Sequence, residues 1–363
     1  MSGINEIASS ITAGKPRRRV RYHGTHPRRF HEKYKELAPD RYSADVEKVL
    51  ASGKTPAGMH RPVCVQEILE VLVPKAGEVA VDCTLGYGGH ATELLKAIQP
   101  EGRLIALDVD PIEVVKAEAR LRLPGLPEGS LVVRRMNFAG LASLLAQEGV
   151  DGADLILADL GLSSMQIDNP ERGFTFKVEG PLDLRMNPSR GRSAAELLEA
   201  VNEEDLIRLL AENSDEPRAE VLAHAIIDEQ RRASIRTTTG LAHVIRRALL
   251  PPSGNRRTDE IDTSIRRVFQ ALRIAVNDEF GALDTFLRNL PLCLKAGGRV
   301  AVLSFHSGED RRVKKAFQTG QREGFYLKIS DEVIRPGAEE IRSNPRAASA
   351  KLRWAIRSIS REC

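Results

Sequence analysis

A chain of 363 residues, 42% of them hydrophobic, can bury one sizeable core and carry an inserted or appended second unit. With 29% charged residues and a formal net charge of only +4 it reads as globular and mildly basic, so local charge says more than the total. Four cysteines (Cys64, Cys83, Cys293, Cys363) stand far apart without a CxxC pair, and no apolar run reaches bilayer length. These features argue against a disulfide framework, a cysteine-based zinc site and a membrane protein, and make a reducing cytoplasm the expected location.

In chain order, residues 1–59 are polar and lack a sustained period, with "GKPRRRVRYHGTHPRRFHEKYK" holding most of the charge. This reads as a basic N-terminal extension, either a solvated tail or an arm that touches nucleic-acid phosphates. His23, His26 and His31 have no cysteine or carboxylate partners at ligand spacing, so no metal is expected.

From residue 60 short apolar strands alternate with amphipathic helices. "VCVQEILEVLVP" reads as a helix, "EVAVDCT" as a strand, "ATELLKAI" as a helix, "RLIALDVD" as a strand and "IEVVKAEARLR" as a helix. "SLVVRRMNF", "LASLLAQE" and "ADLILADLGL" continue as strand, helix, strand. Such alternation with near-continuous apolar strands predicts a mostly parallel sheet covered by helices on both faces. The pattern then stops. "SAAELLEAVNEEDLIRLLAEN", "RAEVLAHAIIDEQRR" and "TTGLAHVIRRALL" read as successive helices, closed by the polar turn "PPSGNRRTDE". Alternation returns with the helix "FGALDTFLRNLPLCL", the turn "KAGG" and the strand "RVAVLSFH", and the tail adds strand candidates "FYLKIS" and "KLRWAIRS". The expected division is residues 60–170 and 268–363 as a discontinuous sheet domain, with 171–267 as an inserted, mainly helical domain that recognises substrate.

The stretch "VAVDCTLGYGGHATELL" places a glycine turn between the first strand and a helix. Gly86, Gly88 and Ala91 fit the GxGxx(G/A) dinucleotide pattern, and Asp108 ends the second strand about 20 residues on. Alone, the loop does not separate NAD from S-adenosylmethionine, since both present a ribose to that acid. Asp82 shifts the balance: a fixed negative charge is misplaced beside a pyrophosphate but accepts hydrogen bonds from the ammonium of a methionine moiety. The sequence "LKAGGRVAVLSFH" points the same way, as a helix, glycine turn and fifth strand. Gly86, Gly88 and Gly89 are expected to bring the cofactor close to the backbone, the helix N-terminus to face its carboxylate, and Asp108 to hold its ribose.

Strand four ends "ADLGLSSMQIDNPERGFTFKVEGPLDLRMNP", which puts Asp159 at the crevice where ligands of parallel sheets bind. Methyl transfer from a sulfonium needs mainly an aligned acceptor and a place for a proton. Asp159 is the candidate to accept the N–H of an amine conjugated to a base, whereas attack from cytosine C5 needs a cysteine, and this loop has none.

"HRPVCVQEIL", "VDCTLGYGGHATELL", "LADLGLSSMQIDNPERGFTFKVEGPLDLRM", "FQALRIAVNDEF" and "AGGRVAVLSFHSGEDRRVKKAF" together resemble the ribosomal RNA small-subunit methyltransferase H family, from about residue 60 to the C-terminus. The resemblance implies a class I, Rossmann-like methyltransferase fold with a mostly parallel sheet and an inserted α-helical domain. It implies methylation of N4 of a cytidine in the decoding region of small-subunit (16S) rRNA. Carried over by motif, the cofactor contacts are Gly88, Gly89, His90, Asp108, Phe138, Asp159 and Gln166. Asp183 is a further catalytic candidate, and Arg185, Ser304 and His306 are candidates for holding the cytosine. Partners would be small-subunit rRNA or the assembled small subunit, with a homodimer admitted and no membrane. A catalytically silent, ribosome-associated RNA-binding protein is the alternative, and an NAD-dependent oxidoreductase lacks a hydride-acceptor acid/base pair. "DTSIRR" (262–267) stands where the family reads close to His-Pro-Ala-Thr-Arg, Gly308 where leucine is usual, and Ala347 and Ala348 where serine and arginine are usual. Sequence-specific RNA recognition generally takes an unpaired base turned out into a pocket, and Arg190, Arg192, Arg256, Arg257, Arg266 and Arg267 are candidates for phosphate contact.

Overall fold

A computed structural model describes residues 62–122, 126–250 and 258–359. The basic extension, its three histidines, Arg256, Arg257 and Cys363 lie outside these residues.

The first unit runs α1 (Val65–Leu72), β1 (Val79–Asp82), α2 (Gly89–Ile98), β2 (Arg103–Asp108), α3 (Pro111–Leu121), β3 (Leu131–Arg135), α4 (Leu141–Gln147), β4 (Ala153–Asp159) and the short α5 (Ser164–Asp168). The helical unit holds α6 (Ala194–Ala200), α7 (Glu203–Ser214), α8 (Ala219–Arg232), α9 (Thr238–Leu249) and α10 (Thr258–Asn277). The chain closes with α11 (Glu279–Cys293), β5 (Leu294–Ser304), α12 (Ser307–Arg322), β6 (Tyr326–Ile329), α13 (Ala338–Ser343) and β7 (Lys351–Arg357).

The seven strands form one sheet of order β3-β2-β1-β4-β5-β7-β6. The first five are mutually parallel, and β7 runs antiparallel to both β5 and β6. Strand side chains alternate between two cores, as a period of two requires. Val81, Ile105, Ile156 and Val300 face α4 and α11, while Ala80, Leu104, Leu155 and Ala301 face α1, α2 and α3. Burial on both faces explains why these strands read as unbroken apolar runs. The chain switches direction between β1 and β4, both paired at the centre of the sheet, and this opens a crevice at their carboxyl ends. Aspartates Asp82, Asp108 and Asp159 are the last residues of β1, β2 and β4.

A third core, reaching from Leu182 to Leu272, belongs to the helical unit. Three details depart from the sequence reading. The helix expected over 193–213 is broken at Val201–Asn202, where the Asn202 side chain accepts from Asp205 N and caps a new helix. The polar turn expected to reach residue 260 gives way to helix at Thr258, and α10 then runs through position 267, its buried Ile261, Ile265, Val268 and Leu272 all in the third core. "KAGG" is taken into β5, with a register shift against β4 between Ala153 and Leu155 and Gly297 at φ 73°.

Candidate active site

The crevice deepens into a cavity of about 610 Å³ bordered by the glycine turn, the ends of β2 and β4, α5 and α10. Gly86, Gly89, His90, Asp108, Phe138, Asp159, Gln166 and His306 all line it. Asp82, Gly88, Asp183, Arg185 and Ser304 do not border it.

The glycines divide by role. Gly88 sits at φ 89° as the N-cap of α2, and a Cβ there would face Leu121 and Ala117, so it shapes the turn from behind. A Cβ on Gly89 would stand 2.2 Å from Pro62 Cγ, so only glycine permits that approach. Gly86 N–H donates to Asp108 Oδ2 at 2.7 Å, and Asp110 N–H donates to Asp108 Oδ1 at 2.9 Å. Burial pushes the Asp108 carboxyl up to about 6 despite these amides.

Asp82 is fully buried. Its Oδ1 accepts from Thr84 N–H at 3.0 Å, while its Oδ2 accepts no hydrogen bond from any described residue. Burial raises its carboxyl to about 6, against the pull of His90 and the Thr84 amide. A buried acceptor oxygen left open is the feature a cationic ligand group would satisfy. His90 Nε2 lies 3.4 Å from Asp159 Oδ2, an ion-pair distance whose alignment falls short of a hydrogen bond. Burial disfavours the imidazolium, but Asp159, and then Asp82, outweigh it and raise the His90 pKa. Asp159 N–H donates to Thr84 Oγ1 at 2.7 Å, and no described residue donates to its Oδ1.

The loop after β4 is cross-braced. Ser163 and Gln166 form a capping box at α5, and Gln166 Nε2 donates to Asp110 Oδ2 at 2.8 Å. Gln166 therefore borders the cavity while both ends of its amide are engaged by protein. Phe138 opens a turn three residues beyond the end of β3, and its ring meets Phe286 edge-on at 5.3 Å.

The sequence reading put Asp183 and Arg185 against the acceptor, but they bind each other, Arg185 Nε to Oδ1 at 2.8 Å and Nη2 to Oδ2 at 2.7 Å. Burial works against the Asp183 carboxylate, yet Arg185 holds its pKa below the usual range. Between them Leu184 sits at φ 63°, and Leu184 and Met186 are the residues that turn into the cavity. Ser304 is buried and donates to Lys351 O at 3.3 Å, so its hydroxyl points to β7. His306 caps α12: its Nδ1 accepts from Glu309 N–H at 3.4 Å, and its Nε2 lies 3.1 Å from Glu309 Oε1. Burial opposes the Glu309 carboxylate, but His306 and Arg273 hold its pKa down.

Cys83, the residue that follows β1, also borders the cavity. Burial, then Asp82, raise its thiol far above the ordinary range, which keeps it protonated and a poor nucleophile. Sequence reading named Arg266 as a candidate phosphate contact but missed the rest of the wall supplied by α10, where Arg266, Phe269, Gln270, Arg273 and Asn277 line the cavity. The steps of three and four from Phe269 and Gln270 to Arg273 and on to Asn277 were the available signal, visible in "FQALRIAVNDEF".

A family model described as the MraW methylase family matches residues 57–358. A protein named ribosomal RNA small subunit methyltransferase H 2 from Alkaliphilus metalliredigens is 53% identical over 345 residues, 95% of this chain and 98% of its own length. One named ribosomal RNA small subunit methyltransferase H 1 from Lachnoclostridium phytofermentans is 51% identical over 343 residues, 94% of this chain and 93% of its own. A third, named ribosomal RNA small subunit methyltransferase H, from a Geobacter species, is 41% identical over 310 residues, 81% of this chain and 97% of its own. The first two matches cover more of this chain than lies beyond residue 59, so they extend into the basic extension. That segment, expected to be additional to the family core, is therefore shared in part with these relatives.

Proposed function

The chain belongs to the MraW methylase family, and from that premise we propose that it methylates N4 of a cytidine in the decoding region of small-subunit ribosomal RNA, using S-adenosylmethionine. The observation that carries this reading is one cavity in which Asp108, beside the glycine turn, and Asp159, at the end of β4, face the same space. Asp108 fits the ribose hydroxyls and the backbone at Gly86 and Gly89 admits a close ligand, while the unsatisfied Asp82 Oδ2 is buried off the cavity wall and would have to be uncovered to meet the methionine ammonium. Bound there, S-adenosylmethionine supplies a methyl carbon activated by a cationic sulfonium.

The protein's task is to align the acceptor and take a proton. An exocyclic amine conjugated to its ring is a weak nucleophile. A carboxylate that accepts its N–H returns electron density to nitrogen, and Asp159 Oδ1 is the oxygen free to do so. His90 Nε2 lies 3.4 Å from Oδ2 on the other side of the carboxylate. The protonated state of Cys83 disfavours covalent attack on cytosine C5. The helical unit, which α10 carries past residue 267 to Asn277, supplies the substrate-recognition surface. The substrate is the free rRNA or the assembled subunit, which places the protein in the cytoplasm. Among the described residues no helix is long and apolar enough to cross a membrane.

The test is incubation with methyl-labelled cofactor and unmodified small subunits, followed by nucleoside mass analysis. Label is expected on N4 of cytidine and is expected to vanish with folded Asp159→Ala or Asp108→Ala protein. Label on C5 or on adenosine overturns the reading.

A further inference from the structure

Three arginines border the cavity among the described residues: Arg266, Arg273 and Arg346. Two are committed to carboxylates. Arg273 grips Glu279 through two hydrogen bonds of 2.7 and 2.9 Å, and Arg346 Nη2 donates to Asp168 Oδ1 at 2.6 Å. No carboxylate of a described residue lies within ion-pair distance of Arg266; among the described residues its Nη2 donates to the neutral Thr263 Oγ1, at 2.9 Å. It is exposed, whereas Phe269 and Ile265 beside it on α10 are buried, so its guanidinium stands at the mouth of the cavity.

Inward from Arg266 the wall is aromatic. Phe174, Phe176 and Phe269 border the same cavity, and the rings of Phe176 and Phe269 lie 5.3 Å apart. Arg273, seven residues further along α10 and on the order of 10 Å deeper along the helix axis, closes the wall with Glu279. The strand ends contribute Asp108 and Asp159, which repel an anion. A ligand that is anionic at one end and flat and aromatic at the other is complementary to this order of groups, with the anion at Arg266 and the ring against the phenylalanines.

We propose that Arg266 binds the phosphate of the nucleotide that enters the cavity, and that Arg266 with Phe174, Phe176 and Phe269 forms a mononucleotide subsite for single-stranded RNA. This inference rests on the reading that the acceptor is RNA. It singles out one of the six arginines considered as phosphate contacts from sequence, and it lies in "DTSIRR", where this chain departs from the family pattern.

The full-length protein is tested in two assays: methylation of unmodified small subunits, and anisotropy binding of a short single-stranded oligoribonucleotide containing cytidine, each across a salt series. Arg266→Ala is expected to weaken RNA binding and raise KM for subunits about tenfold, with kcat and the cofactor KM retained. The slope of log affinity against log salt should become shallower by about 0.7 to 1, the loss of one phosphate contact. Arg266→Lys should restore most of that slope. Arg231→Ala, an exposed arginine on α8 paired with Asp228, should match the parent protein. An unchanged salt slope in Arg266→Ala overturns the proposal, as does an equal loss of cofactor affinity, which would mean a structural role. Salt-sensitive oligonucleotide binding without any methylation of subunits would instead sink the function reading and leave the slope comparison to judge Arg266.

Discussion

Three aspartates end three neighbouring strands, yet their surroundings give them different work. Asp108 is held by two backbone amides, Asp159 faces a histidine, and Asp82 is buried with one oxygen unsatisfied. The Asp82 carboxyl moves from 3.8 to about 6 on folding, so the folded chain holds that proton more tightly than the unfolded one. The stability contributed by the group is fully present below about pH 4 and is lost as pH rises through about 6. Asp82→Asn keeps the acceptor for Thr84 and removes the charge. It should stabilise the protein by on the order of 2 to 3 kcal/mol at pH 7.5 and leave it unchanged at pH 4, while weakening cofactor binding. Urea unfolding at the two pH values and calorimetry with the cofactor check both halves. A variant less stable at pH 7.5 with cofactor affinity intact would assign the carboxylate to the fold alone.

At the scale of elements, the loop after β4, the start of α3 and the end of α10 are tied together by side chains, of which sequence analysis gave a role only to Gln166, as a cofactor contact. Asp110, with no exposed surface, caps α3 by accepting from Ile112 and Glu113 and also accepts from Gln166 and from Arg172 Nη1 at 2.7 Å. Arg172 Nη2 reaches Met186 O at 2.8 Å, and Asn277 brackets the same strap, donating to Leu184 O and accepting from Met186 N–H. These bonds hold Leu184 in its left-handed conformation against the cavity. Arg172→Met leaves Asp110 buried and short of its counter-charge, with an expected loss of about 3 to 5 kcal/mol. Urea unfolding measures it, and a loss below about 1 kcal/mol would show the pair to be dispensable. Gly89→Ala drives a methyl group into Pro62 and should lower cofactor affinity at unchanged helix content, checked by calorimetry and circular dichroism.

For the whole molecule, a ligand held between the strand ends and α10 stabilises only the folded chain. S-adenosylmethionine at a hundred times its Kd should add about 2.7 kcal/mol, read as a rise in Tm. Protonation of Asp108 near pH 6 removes its negative charge and turns one of its two acceptor oxygens into a donor, so the rise should shrink as pH falls below about 6, and Asp108→Ala should lack most of it at every pH. A rise of equal size at pH 5 and pH 8 would exclude Asp108 from the contact. The sequence by itself determined the alternating elements, the glycine turn and the aspartates at the strand ends. Hydrophobic period is a local property, and a parallel sheet directs its carboxyl ends to one crevice. Tertiary structure alone decided which polar groups face that crevice. Asp183 and Arg185 were drawn together two residues apart, Ser304 turned toward β7, and α10 crossed the expected domain boundary to bring Arg266 and Arg273 to the opposite wall. Such partners meet only after folding: Arg346 and Asp168, 178 residues apart, are one pair, and no pattern confined to a short window encodes that contact.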